Sequence, residues 1–409
     1  MVAAGSEGEE NMATATNQGG STTGKGTHAY DRVPFLVLFE EKSAFKETYA
    51  GRIGWVSLEG HLLRPREAPS KTVLIYMHPT GVQNYLPMPI AMAKNGWHVI
   101  TIASRYPHND STLIMEKVAY DLGATIRHAK EKFGYEKVVL AGWSGGGSLS
   151  MFYQAEAEQP SITHTPAGEE YDLTRAKLPP VDAVMQLAAH MSRHRTLTEW
   201  LDPSITDEAN PHRRDIALDI YHPDGPKPPY DRAWLAGFRA AQVARNRRIT
   251  AWVRQRYEDF QKRGMTAEEQ CFVVEGTMAE PKWYDGSIDP NDRKVGTCFM
   301  GDPRIVNNTP AGLARFSSLR SWLSQWSYDD ARADGPNSGP KISVPVFQIV
   351  NSADDACTPA HADAIFNAVT HAEKERHVIQ GANHYYFGQP DKMQESVEAQ
   401  GEWLRRKGF

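Results

Sequence analysis

Gly142-Trp143-Ser144-Gly145-Gly146 sets one serine among glycines in the spacing G-x-S-x-G. Such crowding lets a chain turn sharply and hold a hydroxyl away from its neighbours, where it can act as a nucleophile. The context suits that use. The apolar run Val138-Val139-Leu140-Ala141 precedes the serine and reads as a strand, while Gly147–Ala157 reads as a helix. Alone the spacing is weak, because glycine and serine are common, and a glycine-rich phosphate-binding turn is the bland alternative.

A serine hydroxyl needs a base to take its proton. Gly381-Ala382-Asn383-His384 follows the strand-like run Arg376–Ile379 and puts a histidine on the next loop. His377 falls inside that run and His371 in the loop before it, so both are poorer placed. A histidine base is in turn oriented by an acid. Val344–Val350 ends in Asn351-Ser352-Ala353-Asp354-Asp355, which offers two carboxylates at one strand end, though both would also suit a turn ahead of Pro359. The run Val181–Ala189 ends in His190, Met191 and Ser192, without a carboxylate. His78-Pro79-Thr80-Gly81 follows the strand-like run Val73–Met77 and suits half of an oxyanion hole, the other half being the amide of Gly145. Pro79 has no N–H, so Thr80 is the expected donor and Gly81 the second choice. His78 has no partner at metal-ligand spacing, so no metal is expected.

These loops need a frame that brings them together. From about residue 70 short, continuously apolar runs alternate with amphipathic stretches, among them a helix expected over roughly Thr112–Phe133. That rhythm implies an α/β fold, a parallel sheet covered on both faces, with Gly51–Leu63 as an antiparallel hairpin leading into it. The rhythm stops after Val181–Ala189 and resumes only at Val344. The intervening residues read as mostly helical, with one long helix over Ala233–Lys262. The expected organisation is a disordered tail over 1–27, a core over 28–189 and 343–409, and a helical cap over 190–342.

Composition narrows the function classes. The formal charge is −5, which gives a nucleic-acid or polybasic membrane role no support. Arg245, Arg247, Arg248, Arg254 and Arg256 cluster, yet their spacing among acidic residues reads as a solvated helix face. Cys271, Cys298 and Cys357 are far apart and suggest neither zinc nor a disulfide framework, so reduced thiols in a cytoplasmic protein are expected. Six of the ten tryptophans fall in the inserted segment, where they could form its own core or the roof of an apolar pocket.

Taken together, the Gly142–Gly146 elbow, the acid after Val344–Val350 and the glycine three residues before His384 resemble the α/β-hydrolase superfamily, over roughly residues 45–190 and 343–409. The resemblance implies an eight-stranded, mostly parallel sheet, a triad of Ser144, Asp354 and His384, an oxyanion hole of Thr80 and Gly145, and no cofactor. Family spacing counted from the strand favours Asp354, and counted back from Pro359 favours Asp355; the strand fixes geometry more rigidly, so Asp354 is preferred. Two features depart from the pattern: the oxyanion loop begins His-Pro instead of His-Gly, and the insertion is unusually long. The activity implied is hydrolysis of a small or medium hydrophobic ester, without nucleic-acid or membrane partners and with a homodimer left open. Carbon–carbon bond hydrolysis, lactone or amide hydrolysis, acyl transfer and non-catalytic ligand binding are the alternatives.

Overall fold

The computed structural model describes residues 27–42 and 52–409, so all but the last residue of the expected disordered tail lies outside the described residues. Along the chain come β1 (Tyr30–Glu40), β2 (Trp55–Pro65), β3 (Thr72–His78), α1 (Pro87–Lys94), β4 (Val99–Ala103) and α2 (Met115–Glu131). Then follow β5 (Lys137–Trp143), α3 (Gly145–Glu158) and β6 (Ala183–Leu187). The inserted segment holds α4 (Arg193–Trp200), α5 (Arg232–Lys262), β7 (Cys271–Val273), α6 (Pro303–Val306), β8 (Phe316–Ser318), α7 (Leu319–Ser321), a π-helical turn at Trp322–Trp326 and α8 (Gly335–Ser338). The chain closes with β9 (Val346–Asn351), α9 (Pro359–Ala368), β10 (Lys374–Ile379) and α10 (Pro390–Arg406).

Eight strands form one sheet in the order β1-β2-β4-β3-β5-β6-β9-β10. The pairs from β4 to β10 are parallel, whereas β1–β2 and β2–β4 are antiparallel. The alternation of strand side chains builds a core on each face. In β3, Val73, Ile75 and Met77 pack on the side of α2 and α3, while Leu74 and Tyr76 pack on the side of α1 and α10. Both faces are apolar, which is why the central strands carry no polar alternation. The expected hairpin is corrected: the partner of β2 is Tyr30–Glu40, in register Tyr30 to Pro65, not a strand within 51–63.

The insertion is less helical than its sequence pattern suggests. Only α5 is long, running over Arg232–Lys262 to a glycine at positive φ, Gly264. Much of the rest is loop and short turns around its own apolar cluster, which includes Leu197, Ile249, Val253, Leu323, Trp322 and Trp326. Arg245 also departs from the expected solvated face. It is buried, paired with Glu208, and donates to the carbonyls of Asp202, Glu275 and Gly276, while Arg247 and Arg254 stay at the surface and pair with Asp329 and Asp330. No described helix is long and apolar enough to cross a membrane.

Candidate active site

Because β3, β5, β6, β9 and β10 run parallel, the loops after them share one edge of the sheet, which carries His78 at the end of β3 and Ser144, His190, Asp354 and His384 in the loops. Ser144 stands between β5 and α3 at φ 53° and ψ −121°, a backbone region that L-residues rarely occupy. Three neighbouring glycines make the turn sterically feasible. A Cβ on Gly142 would lie 2.5 Å from the Gly146 carbonyl oxygen, one on Gly146 would lie 2.6 Å from that of Met77, and one on Gly147 would lie 2.3 Å from Ala189 Cβ. The turn is fastened further by the Ser144 amide, which donates to Leu187, and by its carbonyl, which accepts from Gly147 and His190.

Asp354, not Asp355, reaches the histidine. Asp354 Oδ2 lies 2.7 Å from His384 Nδ1, and its Oδ1 accepts the amides of Ala356 and Cys357 at 2.8 Å each. Both side chains are buried. Burial alone would push the His384 pKa down, but the charge and hydrogen bond of Asp354, helped by the charge of Asp355, leave it above its ordinary value. Asp355 is raised to about 6, first by burial and then by the neighbouring Asp354 charge. The Cys357 sulfur, a carboxylate oxygen of Asp354 and a ring nitrogen of His384 lie within 4.8 Å of one another.

His78 closes the β3 side. Its Nδ1 accepts the amides of Thr80 at 3.2 Å and Gly81 at 2.8 Å. The Thr80 N–H, the expected oxyanion donor, is thus engaged by His78, and so is the alternative at Gly81. Around His384 stand the rings of Trp143, His190, Phe299 and Tyr385, at 4.6 to 6.3 Å between centroids. Trp200 packs on both His190 and Phe299. Of these, Phe299, Tyr385, His190 and Cys357 were not singled out by sequence reasoning. His190 and Cys357 do sit at or just beyond strand ends of this edge, a signal available in principle, while Phe299 arrives from a loop of the insertion.

No family model matches the chain, and neither does any curated protein. Among solved structures, the chain is similar to the esterase domain of a Rhodothermus marinus protein, at 14% identity and a TM-score of 0.43 over 91% of this chain and 98% of that one. It is also similar to DcsB in complex with its substrate analogue, at 13% and 0.48 over 93% and 99%, and to a Paleococcus ferrophilus monoacylglycerol lipase, at 16% and 0.43 over 86% and 99%. The assignment of the fold rests on the chain's own architecture, with a mostly parallel eight-stranded sheet, a serine at the turn after β5, a carboxylate after β9 and a histidine after β10. The chain has the α/β-hydrolase fold.

Proposed function

We propose that this protein hydrolyses carboxylic esters through an acyl-enzyme on Ser144. The observation that carries the reading is the buried Asp354–His384 pair, 2.7 Å apart, on the same edge of the sheet as a serine held at a strained elbow. Ser144 Oγ adds to the ester carbonyl carbon as its proton passes to His384 Nε2. Asp354 keeps the opposite nitrogen protonated and balances the imidazolium. The proton then goes to the alcohol oxygen as the carbon–oxygen bond breaks, and water repeats the sequence on the acyl group to regenerate Ser144. The amide of Gly145, the residue after the nucleophile, faces the developing oxyanion.

In this reading residues 190–342 act as a cap, and Trp200, Phe299 and Tyr385 favour a small or medium hydrophobic ester. The test is covalent labelling with a fluorophosphonate, followed by ester turnover. Wild-type protein should be labelled at Ser144, and Ser144→Ala should fold yet lose on the order of 10⁴-fold or more in kcat. Labelling of another serine, or unchanged turnover in the variant, refutes the assignment.

A further inference from the structure

Two backbone N–H groups aimed at one imidazole nitrogen decide where the ring carries its proton. The amides of Thr80 and Gly81 both point at His78 Nδ1, so that nitrogen must offer its lone pair and the proton of the neutral ring resides on Nε2. The ring is held neutral, with its pKa lowered to about 3 by burial first and then by the charges of Arg193 and His384. His78 is thus a pure donor at Nε2 and a pure acceptor at Nδ1.

That N–H is not spent elsewhere: among the described residues nothing bonds His78 Nε2. Its position is specific. A Cβ built on Gly145 would lie 2.7 Å from Nε2, so the absence of a side chain at 145 lets the ring edge close on the backbone of the residue that follows the nucleophile. Neither Thr80 nor Gly81 can supply a second oxyanion donor from its amide without leaving His78. Pro79 has no N–H, and those of Thr80 and Gly81 are engaged.

We propose that His78 Nε2–H is the second oxyanion donor, acting beside the Gly145 amide on the carbonyl oxygen of the substrate. This rests on the ester-hydrolase reading above. As Ser144 Oγ adds to the carbonyl carbon, the carbonyl π pair moves to oxygen and the serine proton to His384; His78 keeps its own proton throughout and stabilises the oxyanion by hydrogen bonding. A donor fixed in place before the reaction needs no reorganisation when the charge appears. The Thr80–Gly81 amides become the support that fixes the tautomer and the ring orientation. This also accounts for the His-Pro start of the loop, which lacks a backbone donor where other such loops have a glycine.

The test separates donation from loop support. In H78N the amide oxygen replaces Nδ1 as acceptor for Thr80 and Gly81, and no donor remains at the Nε2 position. H78Q places an amide N–H near Nε2 and gives up the acceptor. Three measurements are compared on full-length protein: ester turnover, affinity for a trifluoromethyl ketone that forms an anionic hemiketal with Ser144, and affinity for an ether analogue that stays uncharged. H78N should lose on the order of 10²–10³-fold in kcat with KM within about threefold. Its ketone affinity should fall by a similar factor, its ether affinity should hold, and H78Q should recover part of the loss. Wild-type kcat in H78N overturns the proposal, and so does a parallel fall in ketone and ether affinity, which is the signature of loop support alone. Should H78N not fold, H78Q decides, because retained preference for ketone over ether supports donation and its collapse overturns it. A wild-type protein that neither turns over esters nor labels at Ser144 is a different failure, one of the hydrolase reading, and takes the donor with it.

Discussion

Asp354 and Asp355 are adjacent, equally acidic in free solution and set apart by orientation. One carboxylate is wedged between two amides and His384 Nδ1, whereas the other influences the histidine by charge alone. Asp354→Asn should lower kcat on the order of 10²–10⁴-fold, and Asp355→Asn far less. The pH dependence follows from the same geometry. His384 must be neutral to act as base, and its pKa is raised, so kcat/KM should fall on the acid side with a midpoint above about 6.5. Removing the Asp354 charge takes away the largest raising influence, so the midpoint in Asp354→Asn should move to lower pH. A pH–rate series on both variants checks this, and a larger loss in Asp355→Asn would reverse the assignment. The serine, the histidine and the pair of aspartates were legible in the sequence because each follows a strand-like run. The engagement of Thr80 by His78 was not, since it depends on a ring orientation that no spacing encodes.

Among the elements, the inserted segment holds the acid loop in place. Trp283 Nε1 donates to the Asp355 carbonyl at 2.8 Å, and Asn291 Nδ2 donates to that of Asp354 at 2.7 Å. Lys282 is buried, bonds Thr358 Oγ1 at 3.2 Å and lies between Glu199 and Glu280, while Glu199 also meets His361 of α9 at 3.0 Å. Truncating one member of such a network leaves buried carboxylates with too little counter-charge. Lys282→Met should therefore destabilise by about 3 kcal/mol, and adding Glu199→Gln should restore part of it. Denaturant titration of the single and double variants measures both. On the opposite side, Ser324 of the π-helical turn donates to the buried Glu116 at the start of α2 at 2.8 Å. Burial raises the pKa of this carboxyl to about 7 despite that bond. It holds its proton in the folded chain where the unfolded chain has lost it, so its contribution to stability is present at low pH and lost as pH rises from about 4.5 to about 7. Glu116→Gln should raise stability at pH 8 by an amount on the order of 1–3 kcal/mol, seen as a higher Tm, and change it little at pH 4. An equal shift at both values would disprove the ionisation argument.

At the scale of the molecule, some aromatic residues of the insertion build its own core and others stand at the candidate site. Trp322 and Trp326 belong to the apolar cluster beside α5, whereas Trp200 and Phe299 reach the ring of His190 or His384. A selective lid made from Trp200 and Phe299 predicts that kcat/KM rises with the apolar size of the ester, and that Phe299→Ala flattens this trend. Equal rates on acetate and bulky aromatic esters, or good activity on an insoluble polyester, would show that the insertion does not select substrates. By itself the sequence determined the α/β class, the order along the chain of β3, β4, β5, β6, β9 and β10, and the positions of Ser144, His384 and the acidic pair, because apolar periodicity and glycine crowding are local properties. Tertiary structure decided which strand pairs with β2, that Arg245 is buried, which aspartate meets the histidine, and what the amides of Thr80 and Gly81 bind. Each of these depends on atoms distant in sequence, or on a side-chain direction fixed only once the surrounding loops have closed.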